Sequence, residues 1–305
     1  MRAFLARRPY LFFILPAFLF YTVFSIYPIV GVLPYSLTSW SGVGAPRFVG
    51  LGNFLTIFST PSLLQQLVNA ARNTLLLLCL TYVPYTPLII VVAYLLFKKI
   101  HGSSVYKALL FIPQFINVVA VTFVVTLFFS PSIGLYSSVM NLLGLGKWSV
   151  PGIWEKPSFG VPLVLLVGVW RGMGYELLLF IAGFASVPAE LEESATIDGA
   201  GEIRRFLHIY FPLISPTFTN VIVLMYIWTL TTFDVPYLMG GINGGPGGSM
   251  DTIQLFFYRT VFGGSSYSTN FVGMGSALST IILVALVGGS LLLQQILRRR
   301  EFYTN

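Results

Sequence analysis

Few groups able to do chemistry lie inside the long apolar runs of this chain, so their types and spacing are informative. Arg171, Tyr175 and Glu176 sit in Trp-Arg-Gly-Met-Gly-Tyr-Glu at 170–176, and Asp234 sits in Thr-Phe-Asp-Val-Pro near the end of the next run. A charge at the centre of a bilayer costs about 2.5 to 3.5 kcal/mol on insertion scales, so such groups face protein or a watery cavity. Arg171 and Glu176 are about 140° apart around a helix, which makes them poor partners for each other. Arg171 and Tyr175 share a face, as do Gly168, Gly172 and Glu176. The simplest assignment packs the Gly168/Gly172 edge against a neighbouring helix and turns Arg171 and Tyr175, with Glu176 held by another helix, toward a polar interior. Asp234 has three available roles: facing that interior, accepting from a loop backbone donor, or pairing with Arg171. Trp170, Trp228 and Tyr175 carry rings of the kind that stack on the C–H patches of sugar-like molecules. With 27 Phe, 16 Tyr and five Trp, however, most rings serve packing or an interfacial belt. No nucleophile–base or acid–base constellation emerges. His101 and His208 stand in loops without ligand-like companions, and Cys79, the only cysteine, reads as a small buried apolar side chain.

The elements that position these residues must be membrane helices. Of 305 residues, 9% are charged and 56% apolar, with mean hydropathy +0.83. A soluble domain carries about 25% charged residues, so the polar shell of a soluble enzyme is missing, and disorder is excluded by the same numbers. The net charge of +7 is spread along the chain, without the dense basic stripe of a nucleic-acid reader. Six stretches suffice to cross roughly 30 Å of hydrocarbon: about 10–34, 73–97, 109–129, 160–184, 214–239 and 271–297. The first follows a basic segment like that of a signal peptide, but its apolar run is too long and lacks a small-residue cleavage site, so it reads as a retained span. Pro16, Pro84, Pro87 and Pro113 predict kinks, tolerated where neighbours satisfy the freed carbonyls.

Loop charge sets the expected orientation. Placing the tails 1–9 and 298–305 in the cytoplasm puts eleven Lys/Arg on the inside, against five in the outer segments. The cytoplasmic loop 185–213 then stands out. Ser186 predicts an N-cap, Pro188 sits where a first-turn proline is harmless, and Glu190, Glu192 and Glu193 suit a helix N-terminus. Gly199 predicts a tight turn or a close backbone approach, and Ile203, Phe206 and Leu207 predict a second amphipathic piece. Two short helices around a glycine read as a docking element for a soluble partner. The acids argue against a helix lying on anionic lipid.

The run Val-Pro-Ala-Glu-Leu-Glu-Glu-Ser-Ala-Thr-Ile-Asp-Gly-Ala, with Phe206, Ile209, Pro212 and Pro216, resembles the cytoplasmic signature of permease subunits in binding-protein-dependent ABC importers. Glu193, Ala195 and Gly199 match its Glu-Ala-Ala…Gly pattern, with Ala200 and Pro212 as further matches, while Ser194 departs from the usual Ala. Phe-Val-Gly-Leu-Gly-Asn-Phe at 48–54, Asn73-Thr74, Ile112-Pro113 and Gly244-Gly245-Pro246 resemble the carbohydrate-importing branch, the maltose, multiple-sugar and glycerol-3-phosphate type. The resemblance implies an all-α polytopic fold of six transmembrane helices, the type I importer permease fold, with 10–297 as the membrane domain in a bacterial or archaeal plasma membrane. It implies that loop 185–213 is a coupling element, with Glu190, Glu193, Ala195, Gly199 and Ala200 facing an ATPase. It further implies a second homologous permease subunit, two cytoplasmic ATPase subunits holding ATP and Mg, and an extracytoplasmic solute-binding protein. The chain itself is then no enzyme and binds no cofactor: Gly144-Leu-Gly-Lys147 lacks the rest of a Walker motif and falls in an outer loop. Trp170, Arg171, Tyr175, Glu176, Trp228 and Asp234 become the candidate solute-facing residues. The alternative reading is a self-contained ion-coupled transporter, which calls for internal repeats with broken helices at matching positions, and for carboxylates near the midplane to hold the coupling ion.

Overall fold

The computed structural model describes residues 10–130, 134–145, 156–263 and 271–298. The tail 1–9, residues 299–305 and Lys147 lie outside the described residues. The chain divides into two compact units, one of residues 1–64 and 257–284, the other of 65–256 and 285–305.

In the first unit, α1 (Phe13–Ser36) is apolar throughout and buries none of its most apolar window. The helix runs through Pro16 and widens into a π-type turn at Thr22–Ile26. A short antiparallel ladder joins β1 (Thr38–Ser39) to β2 (Arg47–Phe48), in register Thr38 opposite Phe48. The motif at 48–54 now has a physical meaning. Gly50 takes φ +57°, a left-handed conformation that glycine adopts freely. The buried Asn53, in α2 (Gly52–Ser59), donates to the carbonyls of Ser36 at 2.8 Å and Thr38 at 2.9 Å, fastening α2 to the end of α1.

The second unit is built around α3 (Pro61–Phe97), whose 37 residues extend well beyond the expected span 73–97. The polar Gln65, Gln66, Asn69 and Arg72 mask its first turns from a hydropathy reading. Near its middle, Pro84 falls in a π-type turn, Thr81–Tyr85. There the Thr81 carbonyl accepts both the Thr86 N–H and, at 2.9 Å, the Thr86 hydroxyl, so the wide turn stays bonded into the helix that follows. The expected span 109–129, with its predicted kink at Pro113, is two separate helices, α4 (Ser103–Phe111) and α5 (Val118–Phe128), meeting at 101°. Two neighbouring signals produce the break. Pro113 sits in a 3₁₀ turn, and Asn117 caps α5 by accepting the Val119 N–H at 2.8 Å. Beyond α6 (Leu135–Leu142), α7 (Gly160–Ala185) is the central helix of the unit. Leu177, Phe180 and Phe184 of α7 pack with Ile89, Ile90 and Ala93 of α3, and with Val221, Ile222 and Met225 of α10 (Ser215–Leu230), in one apolar cluster.

Between α7 and α10 lie α8 (Ala189–Ile197) and α9 (Glu202–Arg205), the latter running on through a π-type turn at Phe206–Tyr210. After α10 the helix breaks at Thr231–Phe233 before α11 (Asp234–Gly240). The Gly-Gly-Pro-Gly-Gly loop then folds back on itself, with the Gly248 carbonyl accepting from Asn69 at 2.9 Å and Asn73 at 2.8 Å. An added Cβ on Gly160 would lie 2.4 Å from the Ser249 carbonyl oxygen, so only glycine allows that approach. Two further helices, α12 (Ile253–Phe262) and α13 (Phe271–Arg298), complete the described chain. Cys79, expected to be buried, lies instead on an exposed face of α3, a position acceptable to an apolar thiol beside lipid.

Candidate functional site

Two places bring the sequence-derived residues together. The first is a cavity of about 580 Å³ within the second unit. Gly168, Arg171, Gly172, Tyr175 and Glu176 of α7 form one wall, and these residues span an arc of about 140° on the helix. Trp228, Thr229, Thr231, Thr232 and Asp234, at or near the break between α10 and α11, form another, with Thr81, Tyr85 and Gln114 completing the polar lining. The break suits this position, because non-helical backbone at membrane depth is stable only inside protein or beside a watery cavity.

Glu176 is buried and accepts a hydrogen bond from the Tyr85 hydroxyl of α3. Tyr175 and Trp228 meet edge to face, ring centres 5.3 Å apart, so the two aromatic walls support each other. Arg171 and Asp234 both face the cavity, and neither belongs to an ion pair among the described residues. Trp170 does not line it; the ring lies 43% exposed on the other side of α7. The Gly168/Gly172 assignment is also corrected. A Cβ on either meets nothing within 4 Å, because both open onto the cavity. The close approaches belong to Gly174, whose Cβ would lie 2.7 Å from the Gln114 side chain, and Gly183, 3.0 Å from Thr217. Gln114 and the threonines at the break escaped the sequence reading, since uncharged polar residues do not stand out from apolar runs.

The second place is the loop between α7 and α10. Ser186 is not an N-cap: its hydroxyl turns back and donates to the Gly183 carbonyl at 2.7 Å, ending α7, and Pro188 occupies the cap position of α8. At the other end of α8, Gly199 has φ +77°. The Ala200 N–H reaches the Ala195 carbonyl at 2.9 Å and the Gly199 N–H reaches that of Thr196 at 3.1 Å, the paired bonds of a Schellman ending. Ala195, Gly199 and Ala200 thus form one turn. Glu190 and Glu193 are exposed, alongside Leu191, Ile197, Ile203 and Leu207.

Glu192 faces the other way. Its carboxylate accepts from Lys98, at the end of α3, and from the Tyr210 hydroxyl, with Arg205 at 3.3 Å. Burial pushes this carboxyl up, but the hydrogen bonds from Lys98 and Tyr210 and the charges of Lys98 and Arg205 outweigh it and hold the pKa below the ordinary 4.5. Burial, then the hydrogen bond to Glu192, raises the Tyr210 phenol. The sequence showed three acids at a helix start; only the structure separates the inward Glu192 from its outward neighbours.

Apolar helices long enough to cross a membrane, a polar cavity within a helical unit and a helical loop joining two of its walls define a multi-pass membrane permease. Residues 85–302 match the family described as binding-protein-dependent transport system inner membrane component, and the chain belongs to that family. It is 31% identical over 288 residues to the arabinooligosaccharides transport system permease protein AraP of Bacillus subtilis, covering 93% of this chain and 86% of that one. It is 31% identical over 289 residues to the sn-glycerol-3-phosphate transport system permease protein UgpA of Yersinia pestis, covering 94% and 92%. The probable ABC transporter permease protein YurN of Bacillus subtilis is 27% identical over 285 residues, covering 93% and 94%. In fold, the chain is similar over its whole length to a chain in a crystal structure of a bacterial ABC transporter involved in the import of the acidic polysaccharide alginate, with TM-score 0.75, 22% identity and full coverage of both.

Proposed function

We propose that this chain forms one half of the pathway of an ATP-driven importer for a sugar or sugar-like solute, with loop 185–213 as its coupling element. The observation that carries the reading is that cavity and loop share their helices. Loop residues 186–213 connect α7, which presents Arg171, Tyr175 and Glu176 to the cavity, with α10, which presents Trp228. A push on the loop therefore acts on two cavity walls at once. Relatives named for arabinooligosaccharides and for sn-glycerol-3-phosphate support a sugar-like solute. A chain in the crystal structure of an alginate transporter with its oligosaccharide-bound periplasmic protein, with TM-score 0.76 and 21% identity, shares the fold.

In this reading both termini are cytoplasmic. A solute-binding protein delivers cargo to the outer segments 35–72 and 240–270, and a second, homologous permease subunit supplies the other half of the pathway. Two ATPase subunits, holding ATP and Mg, receive Glu190, Glu193, Ala195, Gly199 and Ala200. Their closure tilts α7 and α10 and opens the cavity outward, and hydrolysis returns it to the inside. Aromatic rings at Tyr175 and Trp228 take the C–H faces of the solute, while Arg171 and Asp234 take its hydroxyls or charges.

The test is uptake by proteoliposomes containing the complete complex, fed by solute-loaded delivery protein. Trp228→Ala and Asp234→Asn are each expected to lower uptake by about tenfold, the value of a 1.4 kcal/mol contact. Parental uptake in both variants would remove the cavity from the pathway.

A further inference from the structure

The loop between α7 and α10 is fastened to a third helix to which the chain does not connect it. Glu192 projects from α8 against the end of α3, where Lys98 donates to its carboxylate. Lys98 also lies 4.8 Å above the Tyr210 ring. One helical turn earlier on α3, the Tyr94 hydroxyl donates to Glu202 of α9 at 2.7 Å. Arg205 ties the two loop helices into a single piece, contacting Glu202 at 2.7 Å, Thr196 at 2.7 Å and Glu192 at 3.3 Å. Beneath these charges lies an aromatic floor. Tyr94 stands 4.8 Å from Phe206 and 5.3 Å from both Phe184 and Tyr210.

An isolated surface ion pair contributes little. This one differs in three respects. The Lys98 and Glu192 side chains are only 19% and 28% exposed, the carboxylate has three donors from two separate segments, and the ammonium sits against aromatic faces. Its place in the chain also matters, since α3 contributes Leu77, Thr81 and Tyr85 to the cavity and Tyr85 holds Glu176.

We propose that Glu192 is a positioning residue that fastens the coupling loop to the end of α3, so that displacement of the loop moves three walls of the cavity as one body. The proposal rests on the coupling reading of 186–207. It divides the acids of α8 by role: Glu190 and Glu193 look outward to the ATPase, and Glu192 looks inward to α3. If the joint slid during the cycle, α3 would stay behind while α7 and α10 moved, and the bond from Tyr85 to Glu176 would have to break on every stroke.

The test uses the complete complex in proteoliposomes, in a Cys79→Ser background that leaves no other cysteine on this chain. Lys98→Cys and Glu192→Cys are introduced together, and ATP hydrolysed per solute imported is measured before and after a short bis-thiosulfonate bridge is installed. Unbridged, the ratio is expected to rise at least about fivefold, the low end of ordinary coupling between sites, with the ATPase subunits still bound. Bridging is expected to return it to within about twofold of the parent. A parental ratio without the bridge, uptake abolished by the bridge, or loss of the ATPase subunits would each overturn the assignment. Gly199→Trp on the parental chain separates this failure from that of the coupling reading. If it leaves uptake unchanged the loop is not the coupling element, whereas lost uptake beside a neutral cysteine pair removes only the Glu192 joint.

Discussion

Gly199 offers the sharpest test of the coupling turn, because its conformation and its surroundings make separable demands. The residue has φ +77°, and its N–H and that of Ala200 close the end of α8. A Cβ built there meets nothing within 4 Å. Within this chain alone, Gly199→Ala therefore costs only backbone strain, about 1 to 2 kcal/mol for an L-residue in the left-handed region. Asparagine tolerates that region better, so Gly199→Asn costs a fraction of this. If a partner binds only the turned form, the Ala penalty weakens its apparent affinity by about 5- to 30-fold, and the Asn penalty by less than about threefold. The assay is titration of the cognate ATPase subunits onto the permease pair held in lipid nanodiscs, followed by equilibrium binding. Ala and Asn variants that bind as tightly as the parent would show that the turn is not read. Equal, severe losses would show that the partner's surface excludes any Cβ and that backbone strain is the wrong explanation.

Three further outcomes follow from the packing and the charges. Gly174→Val should destabilise the complex by about 1 to 3 kcal/mol through overpacking against the Gln114 side chain, 2.7 Å from the new Cβ, and Phe111, while Gly172→Ala should be neutral. Thermal unfolding followed by size-exclusion detection distinguishes them, and equal stability of the two variants would contradict the packing. Tyr85→Phe removes the donor to the buried Glu176 and should cost about 1 to 3 kcal/mol, seen in the same assay and abolished in a Glu176→Met background, which leaves no acceptor there. For Glu192, a carboxyl held below 4.5 in the folded state contributes stability that is fully present above that value and lost as pH falls through the lower folded pKa. Proteolytic nicking of 186–207 should accordingly stay flat from neutral pH down to the ordinary carboxyl pKa of 4.5 and rise only below that. Glu192→Gln should be nicked at neutral pH, and parental resistance in that variant would refute the account.

The ease with which sequence revealed each part follows from its physics. Apolar length alone shows most spans, because lipid selects composition over twenty or more residues. Helix ends are different, since a few local groups decide them. Asn117 and Pro113 turn one apolar run into two helices at 101°, and hydropathy gives equal weight to a capping side chain and any other polar residue. The first turns of α3 fail for the opposite reason. Asn69 and Asn73 are polar because they hold the Gly248 carbonyl, so their polarity reports a partner elsewhere in the chain rather than a loop.

The cavity and the loop divide along the same line. Phase around α7 placed Arg171 and Tyr175 together and separated Glu176 from Arg171, and the structure keeps that phase. What phase does not contain is how wide a sector a cavity takes. The lining covers an arc of about 140°, enough to include both groups and the two glycines between them, so Gly168 and Gly172 widen the cavity where tight packing was expected. Glu192 fails similarly. A step of two positions takes Glu190 to Glu192, which swings the side chain roughly 200° around α8, toward Lys98 instead of outward. Period alone distinguishes the two faces; only the position of α3 says which of them is inward. A helix presents faces, and its neighbours assign them meaning.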